Sequence, residues 1–174
     1  MPIFDELDQR LSIVPRWVIL PTIQKQSVAE HCFNVERIAT SIADNWFHIE
    51  PESETMWRIS QWALHHDDDE AYTGDIPTTA KKWVTKTPVD QIGEKMIHQN
   101  DDQVKWIVKL ADMMEAYWFL SRELRMGNKY VQVHHLELGQ NTDEYAHSHF
   151  DDDIARHVSN WMIRVRTEVS QSYE

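Results

Sequence analysis

Four metal-capable side chains stand where a helical chain would turn them inward: His31, the pair His66-Asp67, and Asp112. His31 belongs to an apolar stripe continued by Val35, Ile38 and Ile42 at +4, +7 and +11. Met56, Ile59, Trp62 and Ala63 surround the direction of His66, while His65 points along Glu54, Arg58 and Gln61 and faces solvent. Asp112 keeps company with Val108, Ala116 and Phe119. Burying even one unpaired carboxylate costs several kcal/mol or forces it to neutralise. Two carboxylates and two imidazoles aimed at one core satisfy each other if a divalent cation lies between them. Imidazole suits zinc, cobalt, manganese or iron, and the carboxylates admit harder ions. Each residue alone has a plainer reading. His31 could be a satisfied core histidine, and Asp112 a partner for Lys105 or Lys109 on its own helix. It is their joint occurrence that points to a metal.

The elements that must position these groups are helical. Only 4 Gly and 6 Pro interrupt the chain, which favours long helices over many short strands. A short opening helix is expected at residues 4–12, followed by an extended or turning lead-in bounded by Pro15 and Pro21. Ser27-Val28-Ala29-Glu30 reads as a capping box that opens the His31 helix, which ends near Phe47. A second helix starts at Pro51 and runs to His66. Residues 68–90 form a structured loop with a short helix around 78–85. A third long helix begins near Asp101 or Asp102 and stops at Gly127. Helical stretches at 129–138 and 151–170 complete an all-α reading, with His134, His135, His147 and His149 between or beside them.

The length of 174 residues suits one domain, residues 1–174, and 41% hydrophobic residues suffice for a core. A net charge of −12 argues against a general nucleic-acid or anionic-membrane binder. The single cysteine, Cys32, excludes an internal disulfide framework and is most simply packing. The N-terminus lacks a signal-peptide pattern, and no apolar run approaches the ~18 residues of a membrane span. A cytoplasmic location is therefore expected. There is no Walker loop, no G-x-S-x-G elbow and no cysteine nucleophile signal.

The order His, His-Asp, Asp resembles the HD-domain metal-dependent phosphohydrolases, which implies an HD-domain helical bundle. Arg16-Trp17, Ser27 to His31, His66-Asp67 with Glu70, Thr73 to Pro77 and Val108 to Asp112 look like the bacterial 5′-deoxynucleotidase branch. These blocks fall in order across residues 14–127, about two-thirds of the chain. In length the chain looks more like the small phage-type relatives that cleave dATP to deoxyadenosine and triphosphate.

The resemblance implies that His31, His66, Asp67 and Asp112 hold one divalent ion, with zinc, cobalt or manganese placed ahead of magnesium. Such an ion polarises a phosphoryl oxygen and lowers the pKa of water to about 7. Glu70, one turn past Asp67, would orient that water or move its proton. Without the resemblance it reads as a solvated acid, as Asp68 and Asp69 still do. Asp75 follows a glycine in a turn and would be aimed at a sugar hydroxyl or the attacking water, or else cap the next helix. Arg16 would fork onto the phosphate, and Trp17 would pack on the deoxyribose, leaving too little room for a 2′-hydroxyl. Lys81 and Lys109 would face the anion, whereas Lys82 and Lys86 are solvated.

The expected activity is hydrolysis of a deoxynucleotide at its 5′ phosphate ester, first as a dATP triphosphohydrolase. A 5′-deoxynucleotidase acting on monophosphates is the alternative. A non-catalytic acidic interaction module is the distant one, since such a module should have lost a ligand or the catalytic acid. A homo-oligomer is expected, because small HD hydrolases commonly assemble and eight tryptophans leave apolar surface.

Overall fold

The computed structural model describes residues 6–77, 80 and 101–171. The expected helix at 78–85 falls outside them but for Ala80, and so do Lys81, Lys82 and Lys86. Among the described residues seven α-helices follow in order: α1 (Glu6–Ile13), α2 (Val28–Phe47), α3 (Glu54–His65), α4 (Glu70–Thr73), α5 (Asp102–Arg125), α6 (Gln132–His149) and α7 (Asp152–Gln171). A 3₁₀ turn at Lys129–Val131 leads into α6. No strand occurs among the described residues; Pro15 and Ser27 form a lone antiparallel bridge.

Helix starts follow local side-chain chemistry. The capping box forms as the sequence predicts: Ser27 Oγ accepts the Glu30 N–H, and Glu30 Oε2 accepts the Ser27 N–H at 2.8 Å. The third element differs from expectation. Pro51 stays in a turn, and α3 begins at Glu54 because Ser53 captures the Met56 N–H at 3.1 Å. Asp101 caps α5 through the Val104 N–H, and Gly127 takes the positive φ of +87° just past its end.

Helix α5 is the axis of the molecule, packing against α2, α3, α6 and α7. It is buried on most sides, as a helix surrounded by others must be: Ile107, Val108, Leu110, Ala111, Tyr117 and Leu120 are fully buried. Val35, Ala39 and Ile42 of α2 and Ile59 and Ala63 of α3 complete the central core with them. Lys109 and Asp112 lie on the exposed rim of the same helix, at the end of α3 that carries His66.

The segment expected to stop at residue 138 continues as one helix to His149. His134, His135, His147 and His149 therefore lie on α6 rather than between helices. Gly139 does not break it. A Cβ there would come within 2.9 Å of Tyr117 Cε2, so the glycine lets α6 approach α5 closely. The Tyr117 ring is fully buried and stacked on His135 at 4.3 Å, which prevents it from yielding. Gly139→Ala gains helix propensity of up to ~1 kcal/mol but overpacks this contact at a cost of ~1–3 kcal/mol. A net loss of stability is expected, read as a fall of a few degrees in thermal midpoint; a rise would show that the crossing can relax.

Candidate functional site

The three helices that carry the sequence-predicted donors converge. His31 comes from the first turn of α2, His66 and Asp67 from the end of α3, and Asp112 from the middle of α5. One atom each from His31, His66 and Asp112 lies within 4.8 Å of the other two, a spacing that can hold a metal ion. Asp67 adds a carboxylate beside both imidazoles, its Oδ2 3.3 Å from His66 Nε2 and 3.6 Å from His31 Nε2.

The hydrogen bonds behind the imidazoles show what this space fits. His31 Nδ1–H donates to Glu115 Oε2 at 2.7 Å, and His66 Nδ1–H donates to the Ala63 carbonyl at 2.8 Å. Both rings thus turn an Nε2 lone pair inward, and the two Nε2 atoms stand 3.3 Å apart. Two facing lone pairs repel unless a cation lies between them, and the ring of carboxylates supplies the balancing charge. The donor set fits a divalent ion held by His31, His66 and Asp112, with Asp67 in reach.

Without an ion, a proton serves. Burial and Arg16 disfavour the His31 imidazolium, yet its hydrogen bonds to Asp112 and Glu115 prevail and push the pKa to about 9. Burial also opposes charge on Asp112, but Lys109, His31 and His66 hold it well below the usual carboxylate range. Against burial, Glu115 is lowered by His31, Arg16 and the Gln26 hydrogen bond, and Asp67 by His66, His31 and Arg16.

Sequence reasoning missed Glu115. It is fully buried and also receives Gln26 Nε2 at 2.6 Å and Asn34 Nδ2 at 3.2 Å on Oε1. The signal was present: Asp112 and Glu115 are one turn apart, both among apolar neighbours on α5. Asp68, read as solvated, is buried instead, because the turn after α3 folds it back onto His65 Nδ1 at 3.0 Å. His65 is accordingly half-buried rather than free in solvent.

The lead-in forms the second wall. Arg16 N–H donates to the Gln26 carbonyl and Val28 N–H to Val14, closing a loop over residues 15–27. Trp17 adopts a left-handed φ of 61°, unusual for a bulky residue. Asp75 holds it there, Oδ2 accepting the Trp17 N–H at 2.8 Å. The indole stacks on Phe119 at 5.4 Å and gives its Nε1–H to Gln26 Oε1. Arg16 lies over the Trp17 ring, with NH1 3.6 Å from Glu115. A cavity of about 520 Å³ lined by Gln24, Gln26, Phe33, Asn34, Phe119 and Arg122 adjoins this wall.

Glu70 is buried at the start of α4, its N–H bonded to the Asp67 carbonyl at 2.9 Å. Lys109 is half-exposed and binds Asp112 Oδ2 at 2.7 Å.

A family model described as 5′-deoxynucleotidase YfbR-like matches residues 4–91, half of the chain. The chain belongs to the YfbR-like family. This YfbR-like chain is 29% identical over 148 residues to a 5′-deoxynucleotidase of Pasteurella multocida, a match covering 69% of the chain and 73% of that protein. It is 33% identical over 122 residues to a dATP triphosphohydrolase of Salmonella phage PMBT28, covering 64% of the chain and 63% of the phage protein. Among solved structures, the cyanophage S-2L HD phosphohydrolase DatZ, bound to dA and one catalytic zinc ion, superposes with a TM-score of 0.71 at 22% identity over 95% of each chain. An HD-domain phosphohydrolase from Listeria innocua gives 0.60 at 17% identity, covering 94% of this chain and 85% of its own. The YfbR-like chain is thus an all-α HD-domain phosphohydrolase whose relatives act on deoxynucleotides. No helix among its described residues is long and apolar enough to cross a membrane.

Two measurements check the site. Glu115→Gln loses the charged acceptor for His31 Nδ1–H, and zinc affinity, read by competition with a chromogenic chelator, should fall about 10–100-fold. The second is the pH dependence of the metal-free protein. His31 has a native pKa above its ordinary 6.5, so its stabilisation is complete below pH 6.5 and lost as pH rises toward about 9. His135, lowered to about 4 by burial and Arg166, costs nothing above 6.5 and progressively destabilises the fold as pH falls below it. The lowered carboxylates lose their contribution at still lower pH. The thermal midpoint of chelator-treated protein should therefore peak near pH 6.5. Zinc should reverse the alkaline limb, because the ion competes with the proton for His31.

Proposed function

We propose that the chain hydrolyses 2′-deoxynucleotides at the 5′ phosphate ester, with dATP as substrate and deoxyadenosine and triphosphate as products. The observation that carries this reading is Arg16. Its Nε and NH1 are buried without a hydrogen bond among the described residues, NH1 only facing Glu115 at 3.6 Å, beside the His31, His66 and Asp112 cluster in a protein of charge −12. A buried guanidinium with open donors calls for an anion with several oxygens, and phosphate matches its fork.

His31, His66 and Asp112, with Asp67 in reach, would hold a divalent ion, which would supply Lewis-acid polarisation of the phosphoryl group and a lowered pKa for water. Arg16 binds the phosphate oxygens. Glu70 takes the proton of the water as its oxygen bonds to the α-phosphorus, and a proton returns to the departing 5′ oxygen. Its burial one turn past Asp67 supports that role. Trp17 packs on the deoxyribose and excludes a 2′-hydroxyl. Asp75 acts through Trp17, whose strained backbone it holds. Lys109 is poised to leave Asp112 for the phosphates, joined by Lys81. The phage triphosphohydrolase and the dA-bound DatZ support the choice of dATP. The family description and the Pasteurella enzyme favour the second reading, a 5′-deoxynucleotidase releasing phosphate from dNMPs. The whole chain, residues 1–174, is proposed to act as one domain in the cytoplasm and as a homo-oligomer.

The test is a panel of the four dNMPs, the four dNTPs, AMP and ATP, each with Mg, Mn, Co and Zn, and products resolved by chromatography. Deoxyadenosine plus intact triphosphate from dATP is the expected result. Turnover of dNMPs alone would establish the second reading, and no turnover with any metal would return the chain to the interaction-module class. For a triphosphate substrate, Lys81→Ala and Lys109→Ala should raise KM for dATP much more than for dAMP. Equal effects would exclude these lysines from binding the outer phosphates.

A further inference from the structure

Between the tryptophan wall and the metal cluster stands one buried amide. Gln26 is 7% exposed and is used at every polar atom of its side chain. Its Oε1 accepts the Trp17 indole N–H at 3.2 Å, and its Nε2 donates to Glu115 Oε1 at 2.6 Å. Its backbone carbonyl accepts the Arg16 N–H at 2.9 Å. Glu115 in turn accepts from His31, whose opposite nitrogen faces His66, Asp67 and Asp112.

The two partners leave little choice of residue. An indole N–H only donates, and an ionised carboxylate only accepts. A side chain that bridges them must accept at one fork and donate at the other within one planar group. A primary amide does this in one orientation alone, since the flipped amide would face donor to donor and acceptor to acceptor. Glutamate fails at Glu115, leucine fails at both ends, and asparagine is one methylene shorter. The Gln26 amide therefore ties the ring position of Trp17 to the carboxylate that orients His31.

We infer that Gln26 is a positioning residue that couples selection of the sugar to retention of the metal. The sugar arm rests on the deoxynucleotide reading above, while the metal arm does not. A ring displaced by a 2′-hydroxyl pulls on Gln26, withdraws the donor from Glu115 and loosens His31, so a ribonucleotide meets both a blocked pocket and a weakened centre. Asn34 provides the internal comparison, because its side-chain hydrogen bond among the described residues goes to Glu115 and not to Trp17.

The experiment compares Gln26→Leu and Asn34→Ala with the wild-type chain. Zinc affinity is read by chelator competition without substrate, and sugar selection as the ratio of kcat/KM for the deoxyribonucleotide over its ribonucleotide. Gln26→Leu should lower zinc affinity about tenfold and the deoxy-to-ribo ratio about tenfold, the effect of one lost buried hydrogen bond on each side. Asn34→Ala should lower zinc affinity and leave the ratio unchanged. If Gln26→Leu does not fold, Gln26→Met replaces it; unbranched and without an amide, it should show the same two losses. An unchanged zinc affinity or an unchanged ratio in Gln26→Leu overturns the coupling, as does a matching loss of ratio in Asn34→Ala. Failure of the functional reading would appear separately, as a wild-type chain that binds zinc but hydrolyses no deoxynucleotide.

Discussion

The carboxylate of Glu115 sits fully buried at the centre of α5, and a charge there survives only if every oxygen is answered. His31, Gln26 and Asn34 answer it by hydrogen bonds, and Arg16 by charge. Two of these come from the first two turns of α2, and two from the loop that precedes it. One buried acid therefore sets the rotation of α2 against α5, the closure of the lead-in and the tautomer of His31 at the candidate metal site. Removing it would leave a buried guanidinium and a buried imidazole facing each other, so the requirement runs in both directions.

The same device recurs away from the candidate metal site. Glu123, two turns further along α5 and also fully buried, accepts the backbone N–H groups of Ile23 and Gln24 and the Asn128 amide. Asn128 also reaches the Pro21 carbonyl at 2.8 Å. Thus α5 grips both ends of one loop with two carboxylates, and the loop has no need of regular structure to be rigid. That rigidity is what allows Trp17 to keep a left-handed backbone, at a cost on the order of 1–3 kcal/mol. Phe119 beneath the ring, Gln26 at its N–H and Asp75 at its backbone share the task.

Electrostatics inside the site follow from crowding. Asp67 and Asp112 would be raised by burial and by each other, yet both are lowered, since two imidazoles, Arg16 and Lys109 stand within reach. The molecule is strongly acidic overall, and its carboxylates are locally balanced by cations around this cluster.

The helical periodicity, the capping box at Ser27 and the sparse breakers determined the all-α reading and the inward turn of His31, His66 and Asp112, because these depend on contacts three or four residues apart. The α3 start was misplaced because Ser53 competes with Pro51 within a single turn, and the length of α6 was missed because Gly139 reads as a breaker until Tyr117 is seen against it. Gln26 left no local signal, and Glu115 only its one-turn spacing from Asp112, for another reason. A glutamate on an amphipathic helix and a glutamine before a cap are ordinary surface residues by type, and only partners 84 and 89 positions apart in the chain make them buried and necessary. The positive φ of Trp17 likewise depends on Asp75, 58 residues away. Local sequence determined which groups could do chemistry; long-range packing decided which nitrogen each histidine presents, which carboxylate orients it, and what holds the tryptophan wall in place.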